Sequence, residues 1–126
     1  MNLLLDTHVF LWAIDDDPQL SPVARSAIIN GNNMVFVSAA TAWEIAIKKA
    51  TGKLTIPQGN YLDELRIHRF TPLDITTEHA LAVEGLPPYH KDLFDRLLIA
   101  QAQMEKLVFV TGDARIKQYR VQIMEA

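Results

Sequence analysis

The chain has 126 residues, with 12 Lys and Arg against 15 Asp and Glu for a formal charge of −3, a length that suits one domain over residues 1–126. At 49% hydrophobic and 21% charged it holds enough apolar material for a core without covalent staples. The absence of cysteine excludes disulfides, thiolate zinc sites and cysteine nucleophiles and points to a reducing cytoplasm, and the acidic balance speaks against a basic coat that grips phosphates by charge alone.

The first predicted element is a strand at residues 3–5, cut at once by Asp6; with no basic flank before it, this apolar start does not read as a targeting segment. A helical pattern follows over residues 7–14. Ser21, Pro22 and Gly31 read as the N-cap, first-turn proline and closing glycine of a second helix. Residues 34–37 form another short run rich in branched residues, and helical patterns follow from about 41 to 50 and from 60 to 68. A weaker strand lies near 70–73, Thr76 and Gly85 bracket a further helix, and a long helical pattern covers 92–106. The run 107–110 lacks polar alternation, as buried parallel strands do, and a weaker strand lies near 121–124. No stretch reaches membrane-spanning length, and no repeat or low-complexity segment is present. The alternation predicts a three-layer α/β domain with a mainly parallel sheet.

In such a sheet, functional groups gather outside the carboxyl ends of the strands. The acids of this sequence fall there repeatedly: Asp6 ends the first run, Glu44 follows the second within a turn or two, Asp113 closes 107–111, and Asp92 and Asp95 open the long helix. Each has a structural reading beside the functional one. Thr41-Ala42-Trp43-Glu44 has capping-box spacing and Lys48 lies one turn later for an ion pair, while Asp6, Asp92 and Asp113 are each placed to cap a helix. Asp95 is harder to account for in that way. It falls on the arc of Leu98, Ile99 and Ala102, in a helix hydrophobic nearly all round, where an unpaired charge is costly.

Carboxylates from four separate segments brought to one edge repel and raise one another's pKa unless something positive lies between them. A hard divalent ion such as Mg²⁺ prefers oxygen ligands and completes its shell with water and phosphate oxygens, so the cluster suggests metal-assisted phosphoryl chemistry. A recruited cation also reconciles an acidic chain with a polyanionic substrate.

Four motifs then carry a resemblance: Leu4-Leu5-Asp6-Thr7-His8; Trp43-Glu44-Ile45-Ala46-Ile47-Lys48; the long block from His90 through Asp92, Asp95 and Arg96 to Ala102; and Val110-Thr111-Gly112-Asp113. In order and spacing they resemble a PIN-domain nuclease of the VapC toxin type, over essentially the whole chain, and the block from His90 is the most specific part. The resemblance implies an α/β/α sandwich and a Mg²⁺- or Mn²⁺-dependent ribonuclease. It also implies the toxin of a type II toxin–antitoxin pair, commonly a homodimer, with a cognate antitoxin that neutralises it by occupying the cleft.

Carried over residue by residue, the family's acidic cluster falls on Asp6, Glu44, Asp95 and Asp113, with Asp6 and Asp95 the firmest metal ligands. Thr7, Ser38 and Thr111 are candidates for hydroxyls supporting the ligands, and Asp92 stands between cap and auxiliary ligand. Lys48, Arg96 and Arg115 are the candidate phosphate contacts, although each also reads as an ion-pair or solvated surface residue. The chain departs from the usual pattern at Leu93, where relatives often have proline, and at Gly112; neither change removes an acid.

Other chemistries fit less well. There is no phosphate-binding glycine loop ending in Gly-Lys-Ser or Gly-Lys-Thr and no dinucleotide fingerprint. A haloacid-dehalogenase-like phosphatase places a second Asp where this chain has His8, and a receiver domain wants an acidic pair where it has Leu5-Asp6. The four histidines show no paired zinc-ligand spacing, and His8 and His90 have no identifiable proton-transfer partner. Trp12 and Trp43 read as core residues, and Asp15-Asp16-Asp17 as a solvated loop. The non-enzymatic alternative is an interaction module whose acidic cleft receives a basic peptide.

Overall fold

The computed structural model describes residues 1–54 and 60–126. Five strands, β1 (Asn2–Leu5), β2 (Met34–Ser38), β3 (Thr71–Leu73), β4 (Val108–Thr111) and β5 (Ile123–Glu125), form one sheet in the order β3-β2-β1-β4-β5. Every adjacent pair is parallel. Six helices connect and cover them: α1 (Thr7–Ile14), α2 (Pro22–Ile29), α3 (Ala39–Ala50), α4 (Tyr61–Ile67), α5 (Thr77–Ala82) and α6 (Leu93–Glu105).

Alternate residues of the central strands feed two separate cores, which makes the α/β/α sandwich. Leu3, Leu5, Val35, Val37, Val108 and Val110 pack with Phe10 of α1, Ala24 and Ile28 of α2 and Leu65 of α4 on one face. Leu4 and Phe109 face the other way, onto Leu98, Ile99 and Ala102 of α6. Both faces of the sheet are covered, which is why the strand runs lack polar alternation. The helices start where their caps dictate: Ser21 caps α2 with Pro22 at the first turn, Asn60 caps α4, and Thr76 with His79 makes a reciprocal capping box on α5.

Two local expectations are corrected. The capping box at Thr41–Glu44 does not form, because Ser38 at the end of β2 caps α3 earlier through a bond from the Ala40 N–H. Thr41 is therefore inside the helix and buried against Thr7, with their hydroxyls 3.2 Å apart. Gly31 follows the C-cap of α2, Asn30, but is not left-handed; the left-handed residues at helix ends are Asp16, Gly52, Arg69 and Lys106, after α1, α3, α4 and α6. Among the described residues no helix is long and apolar enough to cross a membrane.

Candidate active site

The parallel sheet presents all its carboxyl ends on one side, and a cleft of about 850 Å³ opens there. Its wall contains all four predicted acids, Asp6, Glu44, Asp95 and Asp113, together with Thr7, Asp92, Lys48 and Arg115. Asp6 arrives directly from β1, Asp113 two residues beyond β4, Glu44 on the second turn of α3, and Asp95 in the first turn of α6. Four segments distant in sequence thus deliver one carboxylate each.

Each carboxylate is held differently. Asp6 caps α1, accepting the Val9 N–H on Oδ1 at 2.7 Å, while Oδ2 accepts the Thr111 hydroxyl at 2.5 Å. Burial nevertheless raises its pKa above the ordinary carboxylate value, with the two hydrogen bonds working against that rise. Asp95 is pushed up to about 6, first by burial, then by the neighbouring charge of Asp92; His90 opposes the shift, and the charges of Asp6 and Glu44 add to it. Asp113 goes the other way, to about 2, because the Arg115 guanidinium grips it with two bonds of 3.1 and 2.8 Å. Glu44 pairs with Lys48 at 2.8 Å, one helical turn away.

Asp92 is the N-cap of α6, accepting the Asp95 N–H at 2.9 Å, and it also lines the cleft, so both readings of this residue coexist. Thr111 supports Asp6 as expected and accepts the Asp113 N–H at 3.1 Å as well. Thr7 lines the cleft but pairs with Thr41 rather than with an acid.

Ser38 and Arg96 are not brought to the cleft. The Ser38 hydroxyl donates to Gln101 Oε1 at 2.5 Å, tying the start of α3 to α6 beneath the site. The Arg96 guanidinium is committed to four backbone carbonyls, those of Pro87 and His90 through Nη1 and of Val83 and Leu86 through Nη2, all at 3.0–3.1 Å. Arg96 therefore builds the segment entering α6 instead of facing a phosphate; five donors in a rigid fork suit it to gathering carbonyls.

His90 is the residue that sequence reasoning missed. It is buried, and its Nε2 lies 2.9 Å from Asp95 Oδ2 and 3.1 Å from Asp113 Oδ2. One atom each from His90, Asp95 and Asp113 lie within 4.8 Å of one another; Asp6 and Glu44 line the same cleft outside that trio. The available signal is local: His90 stands two residues before the helix cap Asp92, close enough for its Nδ1 to accept the Asp92 N–H. Of the tryptophans, Trp43 is corrected, whereas Trp12 packs against the core as expected. Trp43 is 56% exposed and meets Phe94 edge-on, with ring centroids 5.1 Å apart. Trp12 lines the cleft, and its ring lies over Gly112.

The donor set suits a hard divalent cation. Its acids offer oxygen, and burial with mutual repulsion leaves Asp95 short of positive charge. Lys48 and Arg115 neutralise only Glu44 and Asp113.

Comparison with known proteins converges on the same frame. The PIN domain family model matches residues 3–122. The ribonuclease VapC22 of Mycobacterium tuberculosis is 31% identical over 122 residues, covering 94% of this chain and 92% of that protein. VapBC2 from Rickettsia felis, solved with a DNA fragment from its promoter, matches in fold with a TM-score of 0.72 at 18% identity over 99% of this chain and 98% of that one. DNA-bound VapBC from Salmonella typhimurium gives 0.69 at 20% identity over the same shares. With the parallel sheet, the acids at its carboxyl edge and a family match over nearly the full length, the chain belongs to the PIN domain family, in its VapC branch.

Proposed function

We propose that the chain, acting as one PIN unit over residues 1–126, is a metal-dependent endoribonuclease and the toxin of a type II toxin–antitoxin pair. The observation that carries this reading is the meeting of Asp6, Glu44, Asp95 and Asp113 in one cleft, two of them with raised pKa values and without a lysine or arginine partner among the described residues. These four carboxylates are the proposed ligands of Mg²⁺ or Mn²⁺. When bound there, the ion supplies positive charge to the scissile phosphate and acidifies the attacking water.

The protein's own contribution is placement. Thr111 and the Val9 N–H fix the two oxygens of Asp6, and α6 begins at Asp92 so that Asp95 projects from its first turn. Lys48 and Arg115 stand at the rim as the proposed contacts to phosphate. The relative named as a ribonuclease supports RNA as the substrate.

Complexes of VapBC among the structural neighbours support an antitoxin partner. A basic tail suits the acidic cleft, and exposed Trp43, Ile47 and Leu93 on α3 and α6 offer apolar surface for a protein contact. A cytoplasmic homodimer completes the proposal.

The decisive test is cleavage of RNA by the purified chain with Mg²⁺ or Mn²⁺, with excess chelator, and with Asp6→Asn or Asp95→Asn. Activity only with the ion and only in the wild type is expected. Undiminished cleavage by Asp95→Asn, or in chelator, contradicts the reading.

A further inference from the structure

His90 is 3% exposed, yet its ring reaches the cleft floor between two acids. Its backbone is fixed from both sides. The His90 N–H donates to the Tyr119 hydroxyl at 2.9 Å, that hydroxyl donates to the Pro87 carbonyl at 2.8 Å, and the His90 carbonyl accepts Arg96 Nη1 at 3.1 Å. The ring's own hydrogen bonds assign its proton. The Asp92 N–H donates to Nδ1 at 3.2 Å, so Nδ1 carries a lone pair and the ring N–H is on Nε2. A protonated Nε2 has no lone pair to offer a metal ion. It has a hydrogen to donate to Asp113 Oδ2 at 3.1 Å, and Asp95 Oδ2 stands 2.9 Å from the same nitrogen as a close polar contact.

We infer that His90 is a positioning residue that sets the spacing of Asp95 and Asp113 for a divalent ion, by donating Nε2–H to Asp113 and holding Asp95 Oδ2 in contact with the same ring edge, and that it is not itself a ligand of that ion. The inference rests on the metal-site reading given above. Two carboxylates supplied by different elements, the first turn of α6 and the turn after β4, have no covalent reason to keep a common separation. A rigid, buried donor between them provides one, and it holds their facing oxygens together when like charge drives them apart.

The test uses the full chain and Mn²⁺ alone, titrated calorimetrically into metal-free wild type, His90→Ala and His90→Gln. Glutamine keeps an N–H donor at the end of its side chain, whereas alanine removes it. His90→Ala is expected to bind Mn²⁺ about 10- to 100-fold more weakly, and His90→Gln within a few-fold of wild type. Nitrogen-detected magnetic resonance of the wild-type ring, without metal and with saturating Mg²⁺, is expected to show the Nε2–H tautomer in both states. That spectrum needs no variant, so it decides the ligand question even where His90→Ala fails to fold.

Wild-type affinity in His90→Ala, or His90→Gln as weak as His90→Ala, overturns the assignment. So does a proton that moves to Nδ1 on Mg²⁺ binding, which marks Nε2 as a ligand. A wild type that binds no Mn²⁺ overturns the metal-site reading and this inference together, whereas wild-type binding with an unaffected His90→Ala overturns this inference alone.

Discussion

Thr111 donates its hydroxyl to Asp6 Oδ2 at 2.5 Å, joining residues 105 positions apart, and the hydroxyl oxygen in turn accepts the Asp113 N–H at 3.1 Å. One side chain thus links the acid of β1 to the acid that follows β4. Thr111→Val removes the donor and leaves the buried Asp6 carboxylate less satisfied, so the Asp6 pKa rises further. Mn²⁺ affinity should fall about tenfold or more, with about 1–3 kcal/mol lost from stability. Thr111→Ser keeps the hydroxyl and should retain most of both; calorimetry and thermal melts of the two variants check it.

The raised pKa of Asp95 has a stability sign that can be worked out. Its folded value, about 6, lies above the ordinary 3.8, so between these values the folded state binds more protons than the unfolded one. The contribution of this group is most favourable below the lower value and is lost as pH rises through the upper one. Asp95→Asn should therefore melt higher than wild type at pH 7 without metal, by about 1–3 kcal/mol, or several degrees. The gap should close by pH 4, and saturating Mg²⁺ should narrow it from the other side. Asp113, lowered to about 2, has the opposite sign: its contribution is present above the ordinary carboxylate value and lost as pH falls through about 2. Equal melting of wild type and Asp95→Asn at pH 7 contradicts the burial argument.

Ser38 and Gln101 should behave as one unit. Gln101 accepts the Ser38 hydroxyl and donates to the Asp74 carbonyl at 3.2 Å, and both side chains are fully buried. Ser38→Ala or Gln101→Leu alone leaves a buried polar group unpartnered, at about 1–3 kcal/mol each. The double variant should lose less than the sum, with a coupling of about 0.5–3 kcal/mol in denaturant titrations. Additive losses rule out a shared bond of consequence.

Three basic residues separate into two kinds. Arg96→Ala frees four carbonyls around the segment that carries His90, so it should lower the melting temperature before any effect on RNA is considered. Lys48→Ala and Arg115→Ala should leave the core intact and instead flatten the salt dependence of RNA binding, by about 0.7 in log–log slope for each phosphate no longer neutralised. An Arg96→Ala protein with wild-type melting and a flattened slope reverses this division.

How much is legible in the sequence follows from how local each cause is. The central strands show as Leu, Val and Phe runs because both sheet faces are covered, and Asp6 and Asp113 show because each closely follows such a run. Asp95 is conspicuous as a charge on the arc of Leu98, Ile99 and Ala102, which are all buried. Ser38 falls at the right strand end, but nothing near it announces Gln101 as its partner. Arg96 resembles a phosphate contact because its neighbours are acidic; its true partners are carbonyls from Val83 to His90, whose convergence depends on the turn entering α6. His90 escapes notice for the same reason, since nothing near it in sequence announces Asp113, which lies beyond α6 and β4.

The position of β1 at the centre of the sheet orders events in time. Asp6 leaves the ribosome early, but the strand carrying Thr111 and leading to Asp113 emerges about a hundred residues later and must still pair with β1. A nascent chain therefore has Asp6 and Glu44 in hand long before it has their counterparts, and long-range pairing of this kind forms late. For the ribonuclease activity proposed above, a site divided between segments a hundred residues apart lacks its full set of acids until β4 has paired with β1.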